Sequence, residues 1–487
     1  MPTQHENASL ADHLAAGAAA LQAADLPGAL EAYQDAVACA PLEPEGYRGL
    51  AAVFQAQARP SEALACRMAA RALQGGNALE LYNIGTAYLM TGHPIEAEPW
   101  LRLALRVDPE LVVAHRNLAV VLRGAGRHAE AQQHAETVYR QQHCFDNGLD
   151  APAVLLICAA GCGNVPLDFW FAPQAVRRIE YMIEYASPAD DAATLATLPS
   201  NLVIFNAIGD ADIARPILDR LGAFVASAGR IVLNLPEAVA CTARDRLPEN
   251  LAGIADLVVP PVVRVARAQV IPELRRRFDA EPEASCIVRP SGSHGGEGLV
   301  LVAAAAEIER LELAAADAFY LTRFHDFRSE DGYFRKYRMI FIDGRPYPYH
   351  LAISPHWLVH YFSADMPTHS WKLAEEARFL ADPAAVLGCR AMTALAAIGA
   401  RLGLDYAGVD FSIQRDGQML LFEANATMLV HPEPEDSVLA YKNPYVEALR
   451  QAFAAMVNRR GSAAVVMHQC REHPPSSRDK RNISEAT

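Results

Sequence analysis

The stretch VDFSIQRDGQMLLFEANATM, Val409–Met428, alternates apolar and polar residues on either side of an Asp-Gly pair. Asp416 and Gly417 predict a two-residue β-hairpin turn, because both central positions of a type I′ turn need positive φ. With these residues as the turn, Asp410 lies opposite Glu423 on the neighbouring strand, with Cβ atoms roughly 5 Å apart. The pattern therefore predicts a hairpin that holds two carboxylates side by side.

The two faces of this hairpin have different chemistry. Period-two alternation assigns the core face to Val409, Phe411, Ile413, Leu420, Phe422 and Ala424. Carboxylates that face each other repel, and either a shared proton or a divalent cation with hard oxygen ligands relieves the repulsion. The amide oxygen of Asn425, on the same face as Asp410 and Glu423, completes a magnesium-like set. The alternative is a solvent-facing polar strip on an edge hairpin.

Length and composition predict a folded chain of about three domains. The 487 residues are 52% hydrophobic and 21% charged, and the net charge of −14 argues against a nucleic-acid or anionic-membrane surface. No apolar run reaches about 18 uncharged residues, and the start MPTQHENASL lacks the pattern of a signal peptide. We therefore expect a cytoplasmic protein with no membrane partner, and the nine scattered cysteines are consistent with reduced thiols.

The first part of the chain repeats with a period of 34 residues. Small residues recur in two such series, Gly17, Ala51, Gly85 and Ala119, and Ala29, Ala63, Ala97 and Ala131. Small side chains allow two antiparallel helices to approach closely. The pattern resembles about four tetratricopeptide repeats over residues 1–145, which implies an all-α solenoid. A protein or peptide partner, support for the rest of the chain and self-association all stay open as its role.

Residues 151–260 alternate strand and helix. Strands are predicted at Val154–Ile157, in NLVIFNAIGD from Asn201 and at Arg230–Leu233, with a helix at Ile213–Ala228. Such alternation favours a parallel, Rossmann-like sheet with crossover helices. Whether this layer is structural or binds a substrate stays open.

The segment CIVRPSGSHGGEGLVLV, Cys286–Val302, predicts two strands around a glycine-rich loop. The loop contains the candidate ligand-binding residues Ser291, Gly292, Ser293, His294, Gly295, Gly296 and Gly298. A glycine-rich tip exposes backbone N–H groups that can bind an anion. No G-K-[ST] follows, so the loop is not a helix-opening P-loop.

Together, the glycine loop and the carboxylate hairpin resemble the ATP-grasp superfamily, the fold of D-alanine:D-alanine ligase and glutathione synthetase, over about residues 151–458. The resemblance implies a pre-ATP-grasp layer at 151–260 and an ATP-grasp domain at 261–458. It places the nucleotide lid at about 261–322 and the α+β body at 323–458. The polar, aromatic-poor residues 459–487 form a tail that we expect to be disordered.

The same resemblance implies roles for individual residues. Arg246 and Arg289 would bind ATP phosphates where the family usually has lysine, and arginine keeps the charge but adds a planar fork. The hinge residues Thr322, Arg323 and Phe324 would contact adenine and ribose, and Lys372 would be a mobile basic residue near the nucleotide. Arg338 would act catalytically near the transferred phosphoryl group, while Asp410, Glu423 and Asn425 would hold Mg²⁺, or Mn²⁺ in its place.

The activity implied is that of an ATP-dependent, ADP-forming ligase that joins a carboxylate to an amine through an acyl phosphate. Its substrates would be small molecules or peptides. Two alternatives stay open: an ATP-grasp kinase of a hydroxyl substrate, and a nucleotide-binding scaffold of tetratricopeptide type without catalysis. Replacement of both phosphate-binding lysines by arginine favours the scaffold, whereas the intact Asp410, Glu423 and Asn425 set argues against it.

Overall fold

The computed structural model describes residues 9–160, 163–172, 174–199, 202–293, 296 and 298–472, and their side chains except at 362 and 462–472. The chain divides into two compact units, Met1–His143 and Cys144–Thr487. Among the candidate ligand-binding residues of the glycine loop, His294 and Gly295 lie outside the described residues.

The first unit is helical throughout its described part. Its helices are α1 (Leu10–Gln22), α2 (Leu26–Cys39), α3 (Pro44–Ala56), α4 (Pro60–Gly75), α5 (Ala78–Met90), α6 (Pro94–Val107), α7 (Val112–Gly124) and α8 (His128–Gln141). Short connections join them into four packed pairs, and the first helices of successive pairs begin 34 residues apart. The predicted helical region and its period are confirmed, while the assignment to the tetratricopeptide family stays a prediction.

The recurring spacing of small residues marks where the two helices of each pair touch. A Cβ atom at Gly17 of α1 would lie 2.9 Å from the ring of Tyr33 of α2, and one at Gly85 of α5 would lie 2.9 Å from Leu101 of α6. The alanines of the second series, Ala29, Ala63, Ala97 and Ala131, are all buried. Larger side chains at these contacts would therefore separate the helices.

We expect Gly85→Leu to lower the stability of the first unit by about 1–3 kcal/mol, because a packed interface cannot absorb the added volume. Ala87→Leu, on the exposed side of the same helix, should change stability by less than about 0.5 kcal/mol. Urea unfolding of the full chain, followed by far-ultraviolet circular dichroism, measures both changes. Equal midpoints for the two variants would contradict the helix contact.

The described part of the second unit contains three sheets and their covering helices. Its strands are β1 (Cys144–Asp146), β2 (Ala153–Cys158), β3 (Arg177–Met182), β4 (Val203–Asn206), β5 (Val232–Leu233), β6 (Leu257–Val258), β7 (Val262–Ala266), β8 (Cys286–Pro290), β9 (Val300–Val302), β10 (Ala318–Arg323), β11 (Phe334–Ile342), β12 (Arg345–Ser354), β13 (Tyr406–Ile413) and β14 (Met419–Asn425). Its helices are α9 (Leu167–Trp170), α10 (Pro188–Thr197), α11 (Ala211–Ala214), α12 (Leu218–Ala228), α13 (Pro236–Ala240), α14 (Leu247–Asn250), α15 (Val270–Ala280), α16 (Ser370–Ala381), α17 (Pro383–Leu402) and α18 (Asn443–Glu472).

The first layer of this unit is a sheet of order β1-β3-β2-β4-β5, in which every pair except β1-β3 is parallel. This confirms the predicted parallel layer. The single predicted helix over Ile213–Ala228 is wrong: α11 ends at Ala214, a 3₁₀ turn follows at Arg215–Ile217, and α12 begins after it. Pro216 is the cause, because proline has no N–H and its ring clashes with the preceding turn.

Two further sheets carry the motifs singled out in the sequence. Strands β7-β10-β8-β9 form a four-stranded sheet around the glycine loop, and β12-β11-β13-β14-β6 form a five-stranded sheet around the carboxylate hairpin. Helix α15 covers the first of these through Val270, Leu274 and Phe278, whose spacing gives one apolar face. Helix α18 continues to Glu472, so the predicted tail is helical from 459 to 472, and residues 473–487 lie outside the described part.

Helix α17 is the one described helix long and apolar enough, by composition, to cross a membrane, with a mean hydropathy of 1.4. It packs on α16 and β12 through a buried face that includes Ala391, Leu395 and Ile398. This three-to-four-residue spacing is that of a helix covering a sheet. Its backbone is broken at Gly388, where φ is +80°.

The turn of the carboxylate hairpin differs from the prediction. Gln414 N donates to Gln418 O at 2.8 Å, and Gly417 N donates to Gln414 O at 2.9 Å, so the loop has three residues rather than two. Of Asp416 and Gly417, only Gly417 has positive φ, at +82°. A three-residue loop that ends in a left-handed glycine is the next most common hairpin connection after the two-residue turn.

A β-bulge compensates for the extra turn residue. Phe411 pairs with Leu421 and Asp410 pairs with Glu423, so Phe422 is the additional residue on its strand. The predicted pairing of Asp410 with Glu423 is thus confirmed. It results, however, from the extra turn residue and the bulge, which shift the strand register by one residue in opposite directions.

Between the turn and the bulge, the predicted faces are reversed on β14. Leu420 pairs with Ser412, two residues from Asp410, and therefore shares the face of Asp410 rather than the core face. Leu421, opposite Phe411, takes the core position, and Phe422 lines a cavity described below. The predicted face was therefore wrong for Leu420 and Phe422, although Leu420 is still buried.

Candidate active site

A cavity of about 230 Å³ lies between the four-stranded and five-stranded sheets. Much of its wall is apolar, with Val259, Pro260, Val262, Ile287, Leu299, Phe324, Phe327, Trp357, Leu358, Leu420 and Phe422. Arg289 and Tyr320 face each other across β8 and β10, and Ile287 and Thr322 form the next same-face pair along these strands. Two residues along a strand span about 7 Å. The cavity lining therefore changes from charged to apolar side chains over this short distance.

The charged part begins with a row of side chains across four adjacent strands. His350 on β12 pairs with Arg338 on β11, Arg338 with Asp410 on β13, and Asp410 with Glu423 on β14. Directly paired residues in an antiparallel sheet point to the same side. The register of the sheet therefore brings all four to one face.

Asp410 is bound by two cations from the neighbouring strand. Arg338 Nε lies 2.6 Å from Asp410 Oδ1, Arg338 Nη2 lies 2.8 Å from Oδ2, and Lys336 Nζ lies 3.1 Å from Oδ2. Burial alone would raise the pKa of Asp410, but Arg338 and Lys336 outweigh it and hold the pKa well below its usual range. Asp410 is thus a buried, ionised carboxylate.

Glu423 is held by two arginines from outside its sheet. Arg244 Nη2 binds Glu423 Oε2, and Arg289 Nη1 lies 3.9 Å from the same oxygen. Burial would raise the pKa of Glu423, but Arg244 and Arg289 outweigh it and lower the pKa. Both carboxylates of the hairpin are consequently charged, and cations keep each one stable.

Arg289 is the least well satisfied of these cations. Burial, followed by repulsion from Arg244, lowers the pKa of Arg289 to about 10. Its Nη2 donates to the carbonyl of Ser293 at 3.0 Å, but its buried Nε has no hydrogen-bond acceptor among the described residues. A buried guanidinium donor without an acceptor is costly, and a bound anion would satisfy it.

The charges in the described lining do not cancel. Arg244, Arg289, Lys336 and Arg338 surround only two carboxylates, Asp410 and Glu423, while Arg323 is paired with Glu281 at 2.6 Å. Among the described groups, the site therefore has an excess of two positive charges. An excess of this sign in a partly buried cavity favours an anionic ligand.

His350 ends the row beside Arg338 as a buried, neutral side chain. Burial, followed by Arg338 and Lys442, lowers its pKa well below the usual value. Its ring stacks on Tyr361 with centroids 4.8 Å apart, and its Nε2 has no hydrogen-bond partner within the described part of the chain. Burial and the nearby positive charges of Arg338 and Lys442 thus keep this imidazole neutral.

The structure brings together only some of the residues singled out in the sequence. Those that line the cavity are Arg289, Gly296, Thr322, Arg323, Phe324, Arg338, Asp410 and Glu423. Those that lie outside its lining are Arg246, Ser291, Gly292, Ser293, Gly298, Lys372 and Asn425. His294 and Gly295 lie outside the described residues.

The predicted hinge residues are held by protein contacts. The hydroxyl of Thr322 donates to Pro261 O at 3.0 Å, and the ring of Phe324 meets that of Trp357 edge to face at 5.6 Å. Gly298 is required for packing, because a Cβ there would lie 2.9 Å from Pro290 Cγ. Thr322 and Phe324 line the cavity next to its apolar wall, whereas Gly298 lies outside the lining.

Two predicted nucleotide-binding residues, Arg246 and Lys372, are not at the cavity. Arg246 is exposed at the start of α14, and Arg244, two residues earlier, occupies the cavity instead. Lys372 is buried in α16, where its amine donates to Ala364 O at 2.6 Å, so it binds a backbone carbonyl rather than the cavity. Local sequence could not distinguish Arg244 from Arg246, because the loop that carries them has no periodic structure.

Lys336 is a second residue that the sequence analysis did not assign. It lies two residues before Arg338 on the same strand and lines the cavity. Period-two alternation alone places Lys336 and Arg338 on one face, so the sequence could have identified Lys336.

The oxygen donors on the hairpin fit a hard divalent cation. Two carboxylates and an amide on neighbouring strands are ligands that Mg²⁺ accepts. Asn425 Oδ1 accepts from Thr427 N at 2.9 Å, and the carboxylates accept from Arg338, Lys336 and Arg244. Among the described residues, no group of three or more His, Cys, Asp or Glu side chains is arranged to hold a metal, so the amide is needed as the third protein ligand.

Comparison with known proteins gives structural similarity only. No protein-family model and no curated protein sequence matches the chain. D-cycloserine synthetase DcsG is 16% identical, with a TM-score of 0.36 over 62% of this chain and 99% of that one. D-alanyl-alanine synthetase A from Vibrio cholerae O1 biovar eltor strain N16961 is 14% identical, with a TM-score of 0.38 over 64% of this chain and 100% of that one.

A third similar structure is the ATP-grasp ligase PsnB in complex with a phosphomimetic variant of its minimal precursor, Mg and ADP. It is 17% identical, with a TM-score of 0.34 over 63% of this chain and 99% of that one. Because all three TM-scores lie below 0.5, these similarities by themselves assign no activity to this chain.

We expect Arg338→Met to destabilise the second unit by about 3 kcal/mol at pH 7, because it leaves the buried Asp410 with Lys336 alone. Since the pKa of Asp410 is lowered in the folded protein, its contribution is present above the usual value of about 4 and is lost as pH falls through the folded pKa. The difference between wild type and variant should therefore shrink below about pH 4. Denaturant unfolding across this pH range, with the exposed Arg345→Met as control, measures it; a pH-independent difference would contradict the ion pair.

Proposed function

We propose that the second unit is an ATP-dependent, ADP-forming ligase that joins a carboxylate to an amine through an acyl phosphate. The observation that carries the proposal is the excess of two positive charges beside the apolar wall of one cavity. A nucleotide needs both surfaces, because its base is aromatic and its phosphates are anionic.

The nucleotide would lie along β8 and β10. Its base would pack against the apolar wall near Ile287 and Phe324, and its phosphates would reach Arg244 and Arg289. The buried Nε of Arg289 would then gain the acceptor that it lacks among the described residues. The magnesium complex of ATP carries about two negative charges, which matches the excess of positive charge in the described lining.

Asp410, Glu423 and Asn425 would hold the metal ion. Bound there, Mg²⁺, or Mn²⁺ in its place, would neutralise phosphate charge and align the phosphoryl transfer. Arg338 and Lys336, which bind Asp410 in the structure, would then be available to the transferred phosphoryl group.

The reaction has two steps. A carboxylate oxygen of the first substrate attacks the γ-phosphorus of ATP, and ADP leaves. The amine of the second substrate attacks the acyl carbon of the resulting mixed anhydride, phosphate leaves, and the amine loses a proton to give the amide. Arg338 and Lys336 would stabilise the charge that develops on the phosphoryl oxygens, and the apolar wall would keep water from the anhydride.

The glycine loop and the hairpin are compatible with both amide formation and phosphorylation of a hydroxyl, and identification of the product separates the two. The first unit would be an array of tetratricopeptide type, an inference supported by its 34-residue helix spacing and small-residue contacts. The comparison of Gly85→Leu with Ala87→Leu tests the packing on which that inference rests.

We expect Arg244→Met to weaken binding of the magnesium complex of the ATP analogue AMPPNP about tenfold, because a charge-assisted phosphate contact is lost. Arg246→Met should stay within about twofold of wild type, since that side chain is exposed and outside the cavity. Isothermal titration of the full chain compares the two. Equal losses, or a larger loss for Arg246→Met, would place the phosphates elsewhere.

We expect ATP turnover with Mg²⁺ when the full chain is offered the right members of a panel of amino acids and short peptides. Mass spectrometry should find a condensed product with ADP and phosphate. Glu423→Gln should lower turnover by at least about 100-fold, because it removes the carboxylate that would bind both the metal and Arg244. Glu435→Gln, at an exposed position, should not lower turnover. A phosphorylated product would identify a kinase, and nucleotide binding without turnover across the panel would favour a scaffold.

A further inference from the structure

One carboxylate, Asp212 of α11, binds two parts of the four-stranded sheet at once. Its Oδ2 accepts a hydrogen bond from the backbone N–H of Gly292 at 3.0 Å, and its Oδ1 accepts one from the hydroxyl of Tyr320. Asp212 belongs to the first α/β layer, whereas Tyr320 lies on β10 and Gly292 follows β8. The Asp212 side chain is only 19% exposed, and its hydrogen bond to Tyr320 is partly buried, whereas its hydrogen bond to the backbone of Gly292 is exposed.

Both contacts lie next to Arg289. Tyr320 is the cross-strand partner of Arg289 and shares its face, and Gly292 is three residues further along the chain. Arg289 also donates to the carbonyl of Ser293, the neighbour of Gly292. When Asp212 holds Tyr320 and Gly292, it therefore holds the backbone on both sides of Arg289.

Arg215 extends this network towards Arg244. Its Nη2 lies 3.7 Å from Asp212 Oδ1 and 2.8 Å from Asp245 Oδ1. Asp245 is the next residue after Arg244, whose guanidinium binds Glu423. Asp212 and Arg215 thus connect the segment that carries Arg289 to the segment that carries Arg244.

The two guanidiniums need such support because they repel each other while approaching one carboxylate. Arg244 binds Glu423 Oε2 directly, but Arg289 is 3.9 Å from that oxygen, too far for a strong hydrogen bond. Glu423 alone therefore does not fix the separation of the two arginines.

We propose that Asp212 and Arg215 are positioning residues that set the separation of Arg244 and Arg289, and with it the affinity of the site for nucleotide phosphates. This inference deepens the proposed function and rests on it. Asp212 and Arg215 are not in the cavity lining, so they act through the two arginines.

The first test is Asp212→Asn in the full chain. An asparagine keeps the shape, but its amide nitrogen cannot accept a hydrogen bond, so one of the two contacts is lost. We expect the Kd for the magnesium complex of AMPPNP to rise about tenfold, the effect of losing a hydrogen bond to a charged group. Arg215→Gln should weaken binding to a similar extent, because it removes the contact with Asp245, next to Arg244. The exposed Asp219→Asn on α12 is the control, and its Kd should stay within about twofold of wild type.

A double-mutant cycle separates positioning from a general loss of stability. If Asp212 acts through Arg289, Asp212→Asn should weaken binding by no more than about twofold when Arg289→Met is already present. The same tenfold loss in that background would overturn the proposal, as would wild-type affinity in both Asp212→Asn and Arg215→Gln.

Failure of the proposed function would give a different result, because the wild type would then not bind the magnesium complex of AMPPNP. Hydrogen exchange of the peptide 287–293 in the ligand-free protein still tests the network. Protection in the wild type that Asp212→Asn removes, without change in the 270–280 helix, would support its role in holding Arg289. Equal exchange in both proteins would overturn it.

Discussion

The ion pair between Arg338 and Asp410 is the interaction on which the candidate site depends. Asp410 is only 1% exposed, and an ionised carboxylate at that depth is stable only when it is paired and hydrogen-bonded. Arg338 supplies two parallel hydrogen bonds from the adjacent strand, in the planar geometry that suits a carboxylate. A one-residue slip between β11 and β13 would turn one partner to the opposite face, so the ion pair and the strand register support each other.

The rest of the site departs from what stability alone would favour. Arg244 and Arg289 bring two further positive charges to Glu423 from outside the five-stranded sheet, and the described lining is left with more cations than carboxylates. Repulsion between such groups destabilises the ligand-free fold, and sites of this kind are where binding or catalysis is expected. The contacts of Asp212 and Arg215 show how the surrounding layer holds two like charges close together.

The two units differ in how directly their sequences encode them. In the first unit, each helix contacts its neighbour in the chain, so Gly85 and Ala97 can be recognised from a 34-residue period without knowledge of the fold. In the second, the cavity is made by β8, β10, β11, β13 and β14 and by the loop that carries Arg244, which lie far apart in the sequence. The distance between contacting segments explains why the helical period was read correctly and part of the cavity lining was not.

The sequence by itself determined the helical repeat and the parallel layer, because both follow from short-range periodicity. It also placed Asp410 opposite Glu423, but this pairing is correct only because the extra turn residue and the bulge shift the register in opposite directions. The family resemblance also singled out Arg289 and Arg338, both of which line the cavity. Only the tertiary structure decided that Arg244 rather than Arg246 reaches the cavity, that Lys372 binds a backbone carbonyl, and that Leu420 and Phe422 face the site. Each of these depends on a loop conformation, a turn length or a bulge, where a change of one residue redirects a side chain and no periodic pattern records it.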